Sequence, residues 1–228
     1  MMIPAKSPQA KEAKILVEGI QAYFVSKLNF LALKFGEGKS CEAISWGRDG
    51  GKHGGGVRYE ARDTVVFDRA SVNVSQVHYD DDKKKKLGSA TAISTIIHPR
   101  NPHAPSMHMH ISWTQMKNGE GYWRVMADLN PSIIGESASD KKRFSDILEK
   151  VTGELFEEGT AQGDRYFYIP VLKRHRGVCH FYLEGYNSGN FEEDKAFVLE
   201  VGERVIDTYI AIISEKLAAY STFTEADR

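Results

Sequence analysis

The chain has only two cysteines in 228 residues, Cys41 and Cys179, far apart and without metal-type spacing. That excludes a disulfide-stapled framework and a thiolate zinc module, and fits a protein of a reducing compartment. No apolar run approaches the ~20 residues that a membrane-crossing helix needs. The opening residues, Met1-Met2-Ile3-Pro4-Ala5-Lys6, lack the basic-then-apolar order of a secretory leader. The expectation is a soluble, cytoplasmic protein. An excess of either charge is missing too: 30 Lys and Arg face 31 Asp and Glu, for a net charge of −1. No bulk field recruits nucleic acid or an anionic membrane, so an anionic ligand must meet a local cluster of cations. Internal repeats and linker-like stretches are absent as well. With 41% hydrophobic and 27% charged residues, the sequence reads as one globular domain over 1–228.

Proline is sparse, yet three of the seven prolines crowd into residues 99–105. Proline fixes φ and removes a backbone donor, so this stretch is neither helix nor central strand. It reads as a stiff, extended connection between two strands, 90–97 and 107–115. Further strands are expected at 57–61, 64–67, 71–78 and 122–127, each bounded by turn residues such as Lys117-Asn118-Gly119. Ser7-Pro8 is a helix start, with serine as N-cap and proline at the first helical position, and the helix runs to Phe35 before Gly36 stops it. A second helix is expected over 139–158, strands over 166–172 and 177–183, and a long last helix over 191–220. Strands grouped in the middle with helices at the ends argue for an α+β fold built on a large antiparallel sheet.

The candidate chemistry lies in the histidines and one aspartate. His108 and His110 alternate on a strand and so share a face, while His98 and His103 flank the proline stretch. Same-face imidazoles can ligate a metal, can hydrogen-bond backbone in a stiff loop, or can move protons in a metal-free pocket. Asp128 opens Asp128-Leu129-Asn130-Pro131, where it either initiates a turn or faces a cleft and accepts hydrogen bonds from a ligand. The run Asp80-Asp81-Asp82 before Lys83, Lys84, Lys85 and Lys86 reads as a solvated hairpin tip. The Gly54-Gly55-Gly56 triplet lacks a following Lys-Ser/Thr and opens a strand rather than a helix. It is therefore no phosphate cradle, and a hinge or a close backbone approach to a ligand is the better reading.

These residues resemble, in order over about 45–209, the oxygen-dependent coproporphyrinogen III oxidases. The resemblance rests on Ser45-Trp46-Gly47-Arg48 with the glycine triplet, and on Phe67-Asp68-Arg69-Ala70-Ser71-Val72-Asn73-Val74-Ser75 for the family's F-E-K-A-G-V-N-x-S. It continues through Ile97-His98-Pro99-Arg100-Asn101-Pro102-His103-Ala104-Pro105 with His108, almost letter for letter. Asp128-Leu129-Asn130-Pro131 stands for D-L-T-P, and Tyr166-Phe167-Tyr168-Ile169 and Arg176-Gly177-Val178 follow.

The resemblance implies a sheet of about seven antiparallel strands flanked by helices on both faces, a homodimer, and a deep cleft. It implies oxidative decarboxylation of two propionates of coproporphyrinogen III to vinyl groups, with O₂ as co-substrate and with no metal or organic cofactor. The family's proton donor falls on His108, its carboxylate for the pyrrole N–H groups on Asp128, and a substrate-contacting serine on Ser94. His110, Arg100, Arg124 and Arg176 are the expected further substrate contacts, with Arg58 and Arg69 as additional cations for rim carboxylates. The sequence departs from the family at Ser112, where an arginine is usual, at 122–127 in place of W-F-G-G-G, and at 171–174 in place of H-R-G-E. It is also expected to lack the family's C-terminal strand segment with its glycine-arginine loop. Two alternatives accompany the enzyme reading: a non-catalytic homologue that binds a tetrapyrrole or heme through His108 or His110, and a metal-dependent enzyme using the histidine cluster.

Overall fold

The computed structural model describes residues 2–224. The first helix, α1 (Pro8–Phe35), begins where the capping signal places it: the Ser7 hydroxyl accepts from the Ala10 N–H at 3.1 Å. It ends with the Gly36 N–H donating to the Ala32 carbonyl. Six antiparallel strands follow as a meander: β1 (Glu42–Gly47), β2 (Gly54–Arg62), β3 (Phe67–His78), β4 (Leu87–Pro99), β5 (Ser106–Met116) and β6 (Gly121–Asn130). Helices α2 (Ala138–Thr152) and α3 (Phe156–Phe167) come next, then a two-residue hairpin of β7 (Tyr168–Ile169) and β8 (Arg174–His175). Strand β9 (Cys179–Tyr186) returns to pair with β6, completing a seven-stranded sheet of order β1-β2-β3-β4-β5-β6-β9, and α4 (Phe191–Ala219) closes the chain. The fold is α+β, with an antiparallel sheet of seven strands.

Period-2 alternation decides which face is buried. Val72 and Val74 of β3, Ile93 and Ile97 of β4, Met107, Met109 and Ile111 of β5, and Val125 of β6 turn to one side and join a continuous core. Helix α1 packs over β3, β4 and β5, and α4 over β5 and β6, with α2 against α4 and β9. Gly202 of α4 lets that helix approach until an added Cβ would sit 3.0 Å from Ile111 and 3.2 Å from Ile20 of α1. Asn190 caps α4 by accepting from the Glu192 and Glu193 N–H groups, and three acidic residues in its first turn complement the helix dipole.

The helices flank the sheet unequally. Three helices cover one face, while α3 runs along the outer strand β9, where Gln162 accepts the Glu184 N–H at 3.0 Å. The centre of the opposite face is exposed at Ser94, Ile96 (44%) and His98. The proline stretch is not extended. β4 continues through Pro99, and the chain then turns at Asn101, whose carbonyl accepts the Ala104 N–H at 3.1 Å and whose side chain accepts the His103 N–H at 3.0 Å. Tyr209 and Tyr220 of the last helix and its cap hold this turn, through Tyr209 Oη to the Pro105 carbonyl and the Tyr220 carbonyl to Asn101.

The expected helix 139–158 is two helices, broken at Gly153, whose φ is 51°. The expected strand 166–172 is the end of α3 plus two paired residues, and 64–67 is mostly the turn between β2 and β3. The glycine triplet does make a close approach, but to the chain itself. A Cβ on Gly56 would lie 1.9 Å from the Val74 carbonyl oxygen and one on Gly54 2.0 Å from that of Gln76, so β2 presses its backbone on β3.

Candidate functional site on the open sheet face

Strand register assembles the site. Across the open face run Ile96 of β4, His108 of β5, Asp128 of β6 and His180 of β9, each opposite the next. One register step away run Asn73, Ser94, His110, Met126 and Tyr182. The shared face expected for His108 and His110 is therefore real, and Asp128 is the direct neighbour of His108 rather than a turn residue.

Asp128 breaks the alternation of its strand, because its side chain sits on the open face yet is 0% exposed. Its Oδ1 accepts from the His108 backbone N–H at 3.1 Å and meets His108 Nδ1 at 2.9 Å. Its Oδ2 accepts from Arg176 Nε at 2.7 Å and from the second guanidinium nitrogen Nη2. Burial alone would raise this carboxyl. The hydrogen bond and charge of His108, with the charge of Arg176, outweigh it and hold Asp128 below the ordinary carboxylate range. Arg176 is set by its neighbours: its N–H donates to the Phe167 carbonyl and its guanidinium lies 4.5 Å from the Phe167 ring centroid. Gly177 follows at φ 69°, and a Cβ there would meet the Leu129 carbonyl at 2.5 Å, so glycine is what lets Arg176 approach β6.

On the other side, His108 Nε2 lies 3.2 Å from His98 Nε2, so one ring donates to the other. Burial first, then the charges of His108 and Arg69, hold His98 below its ordinary value. The result is a hydrogen-bonded line, His98 to His108 to Asp128 to Arg176, with the Asn130 amide 3.2 Å from His108 Nδ1. An imidazole held by a carboxylate on one nitrogen and by a second imidazole on the other is a competent proton carrier. His98 stood among the candidate histidines and Asn130 within the Asp128-Leu129-Asn130-Pro131 run, but neither was expected to touch His108. The signal for His98 was present: a hairpin that pairs Ile97 with Met107 sets His98 diagonal to His108.

The other expected contacts are distributed. Ser94 Oγ is 3.4 Å from His110 Nδ1, and His110 is pushed down to about 4 by burial and then by Arg124. Arg124 makes a bidentate pair with Glu184 of β9, both bonds 2.6 Å, and Tyr182 donates to the same carboxylate. Arg100 lies apart from this group, donating to the Thr64 carbonyl at 3.1 Å in the β2–β3 turn. Arg58 pairs with Glu60 at 2.8 Å. Trp46 of β1 donates to Asn73 Oδ1 at 3.0 Å, a link not anticipated from the sequence. Among the described residues, no three His, Cys, Asp or Glu side chains group as ligands for a metal ion. No described helix is long and apolar enough to cross a membrane.

Comparison with known proteins bears on this arrangement. A sequence model of the family described as coproporphyrinogen III oxidase matches residues 12–228. A protein of Rickettsia bellii (strain OSU 85-389) named oxygen-dependent coproporphyrinogen-III oxidase is 31% identical over 185 residues, covering 76% of this chain and 64% of its own length. Proteins of the same name from Rickettsia akari (strain Hartford) and Rickettsia rickettsii (strain Sheila Smith) are 29% identical over the same shares. The chain thus spans 64% of the length of these curated relatives. With the family match extending from α1 to the end of the chain, through every strand of the sheet, this protein belongs to the coproporphyrinogen III oxidase family.

Proposed function

We propose that the open sheet face binds coproporphyrinogen III and that the chain decarboxylates its propionates oxidatively, the reaction for which its relatives are named. One observation carries this reading: in a chain of this family, His98, His108, Asp128 and Arg176 form a continuous hydrogen-bonded line on an exposed sheet face. Each turnover converts a propionate side chain, O₂ and one proton into a vinyl group, CO₂ and hydrogen peroxide. The carboxylate leaves as CO₂, two electrons and a hydrogen pass from the side chain to O₂, and the extra proton completes the peroxide. His108 is the group placed to deliver that proton, with His98 replenishing it. O₂ is the oxidant, and the scheme invokes no metal or organic cofactor.

Asp128 enters this scheme with both oxygens already engaged. A porphyrinogen offers inward N–H donors and outward carboxylates. A substrate propionate draws the partly exposed Arg176 away, and Asp128 Oδ2 then accepts from pyrrole N–H groups, so the carboxylate is never left buried without donors. Ser94, His110 and Arg124 contact the rest of the ring, with Arg124 exchanging Glu184 for a second propionate. Arg100, bound at the β2–β3 turn, reaches a carboxylate at the rim. The working unit in this proposal is a cytoplasmic homodimer, which sedimentation of the purified protein would check.

Aerobic incubation with coproporphyrinogen III, followed for vinyl product and CO₂, tests the proposal. Product is expected from the wild-type chain and not from Asp128→Ala. No product from the wild type in the presence of O₂, or full activity in Asp128→Ala, overturns it. A second reading rests on His110, whose buried Nε2 has no hydrogen-bond partner among the described residues and whose depressed basicity keeps the ring neutral. A neutral imidazole is an axial ligand for heme iron, as a binding homologue without turnover would require. A hemin absorbance titration that saturates in the wild type and fails in His110→Ala would favour it.

A further inference from the structure

A cavity of about 640 Å³ lies between α2, α3 and the start of β9. Lys141 and Ser145 of α2, Thr160 and Asp164 of α3, Arg174 of β8 and His180 of β9 contribute to its walls. The charges are unbalanced. Asp164 is committed to His180, with its Oδ1 2.7 Å from Nε2. Lys141 and Arg174 have no ion-pair partner among the described residues, and the Lys141 charge is felt at the Cys179 thiol, which also lines the cavity. Two of the wall residues also keep an unsatisfied polar atom. Thr160 Oγ1 and His180 Nδ1 are shielded from solvent and have no hydrogen-bond partner among the described residues, and the His180 side chain is 8% exposed. Native interiors rarely leave such groups alone. With Nε2 engaged by Asp164, Nδ1 of a neutral His180 is an acceptor, so the donors here are the Thr160 hydroxyl and the two cations without ion-pair partners, which together describe a receptor for an acceptor-rich, negatively charged group.

We propose that this cavity binds a small oxyanion, a phosphate or carboxylate group, with Lys141 and Arg174 as counter-charges and the Thr160 hydroxyl as a donor. The site does not depend on the reaction proposed above, because none of its residues belongs to the line from His98 to Arg176. The two readings therefore fail separately. A Cβ on Gly163 would come within 2.8 Å of the His180 ring, so α3 is held close to β9 and the cavity is a fixed feature of their packing.

The full chain in a phosphate-free buffer is titrated with inorganic phosphate and, in a separate arm, with succinate. Each arm is compared with sodium chloride at matched ionic strength, by calorimetry and by backbone amide NMR. Saturable binding of at least one anion is expected, with shifts centred on α2, α3 and the start of β9, and the tighter of the two identifies the head group. Lys141→Met and Arg174→Met alter exposed side chains and should keep the wild-type circular dichroism and thermal midpoint. Each should bind roughly tenfold or more weakly, the loss expected for one charge-assisted hydrogen bond. The proposal is overturned if neither anion binds beyond the chloride control, if the shifts centre on another part of the fold, or if both variants keep wild-type affinity.

Discussion

Replacing Asp128 by asparagine removes one negative charge while preserving the shape of the side chain. The wild-type carboxylate is fully buried and accepts from the His108 backbone, the His108 ring and the Arg176 guanidinium. The amide keeps an acceptor for the His108 N–H, but its own NH₂ then faces Arg176, donor against donor. Breaking a buried pair by removing one partner costs about 3–5 kcal/mol when both charges are inaccessible. Arg176 is 41% exposed and can return its charge to water. The lower figure for losing a charged hydrogen bond, about 1.5–3 kcal/mol, is therefore the one that applies. We expect about 2 kcal/mol, read by equilibrium urea unfolding at neutral pH through the chain's tryptophan fluorescence.

Arg176→Gln should cost less, about 1 kcal/mol, since it leaves the carboxylate two donors from His108. The double variant should fall short of the sum by at least about 0.5 kcal/mol, because the two side chains share one interaction. The pH dependence has a definite sign. The folded-state pKa of Asp128 is depressed, so its stabilisation is complete above the unfolded value near 3.9 and is lost as pH falls through the lower folded value. The carboxylate's share of the difference between wild type and Asp128→Asn should thus disappear only below about pH 4. An Asp128→Asn protein within about 0.5 kcal/mol of wild type at pH 7, or strictly additive single variants, would refute the claim that this charge is paired and buried.

Three further outcomes follow from particular contacts. Gly56→Ala forces a methyl to within 1.9 Å of the Val74 carbonyl, so β2 must separate from β3 and the loss should reach about 3 kcal/mol or more in the same unfolding assay. Asn190→Ala removes the acceptor for two N–H groups at the start of α4 and should cost about 1 kcal/mol, a fall of about 2–4 °C in thermal midpoint. His110 has a folded value near 4 against an ordinary value near 6.5. The unfolded chain therefore takes up the proton first, and stability should drop as pH falls from about 6.5 toward 4. His110→Gln should show a shallower drop over that window in urea unfolding at a series of pH values, and an identical slope would contradict the burial of the ring.

The parts of the fold visible in the sequence are those with local causes. Ser7, Pro8 and Gly36 mark both ends of α1 because capping is chemistry between near neighbours, and α4 begins at Phe191 for the same reason. Strand β1 was invisible because five of its six residues are exposed, so an edge strand with no buried face carries no alternation to detect. The aromatic run Tyr166-Phe167-Tyr168-Ile169 has strand propensity, yet its first two residues finish α3. Gly159 and Gly163 let that helix lie so close to β9 that an added methyl would overlap Phe181 and His180. Packing at that distance outweighs a propensity worth about 1 kcal/mol at most.

The same distinction divides the site. His108 and His110 share a face by alternation, and a hairpin centred on Asn118 puts Asp128 opposite His108, so both were accessible to local reasoning. Arg176 was not, because the contact depends on α3, the β7–β8 hairpin and Gly177 bringing the chain back against β6. Asp128 is also where the pattern rule fails: on an exposed face, at a position alternation assigns to solvent, stands a carboxylate with no exposure. A buried charge is tolerated only where donors surround it, and here they come from two directions, one side chain adjacent in the sheet and one distant in sequence. A local pattern broken in favour of a costly arrangement, with its compensation drawn from a remote segment, is the physical signature of a position held for chemistry rather than for packing.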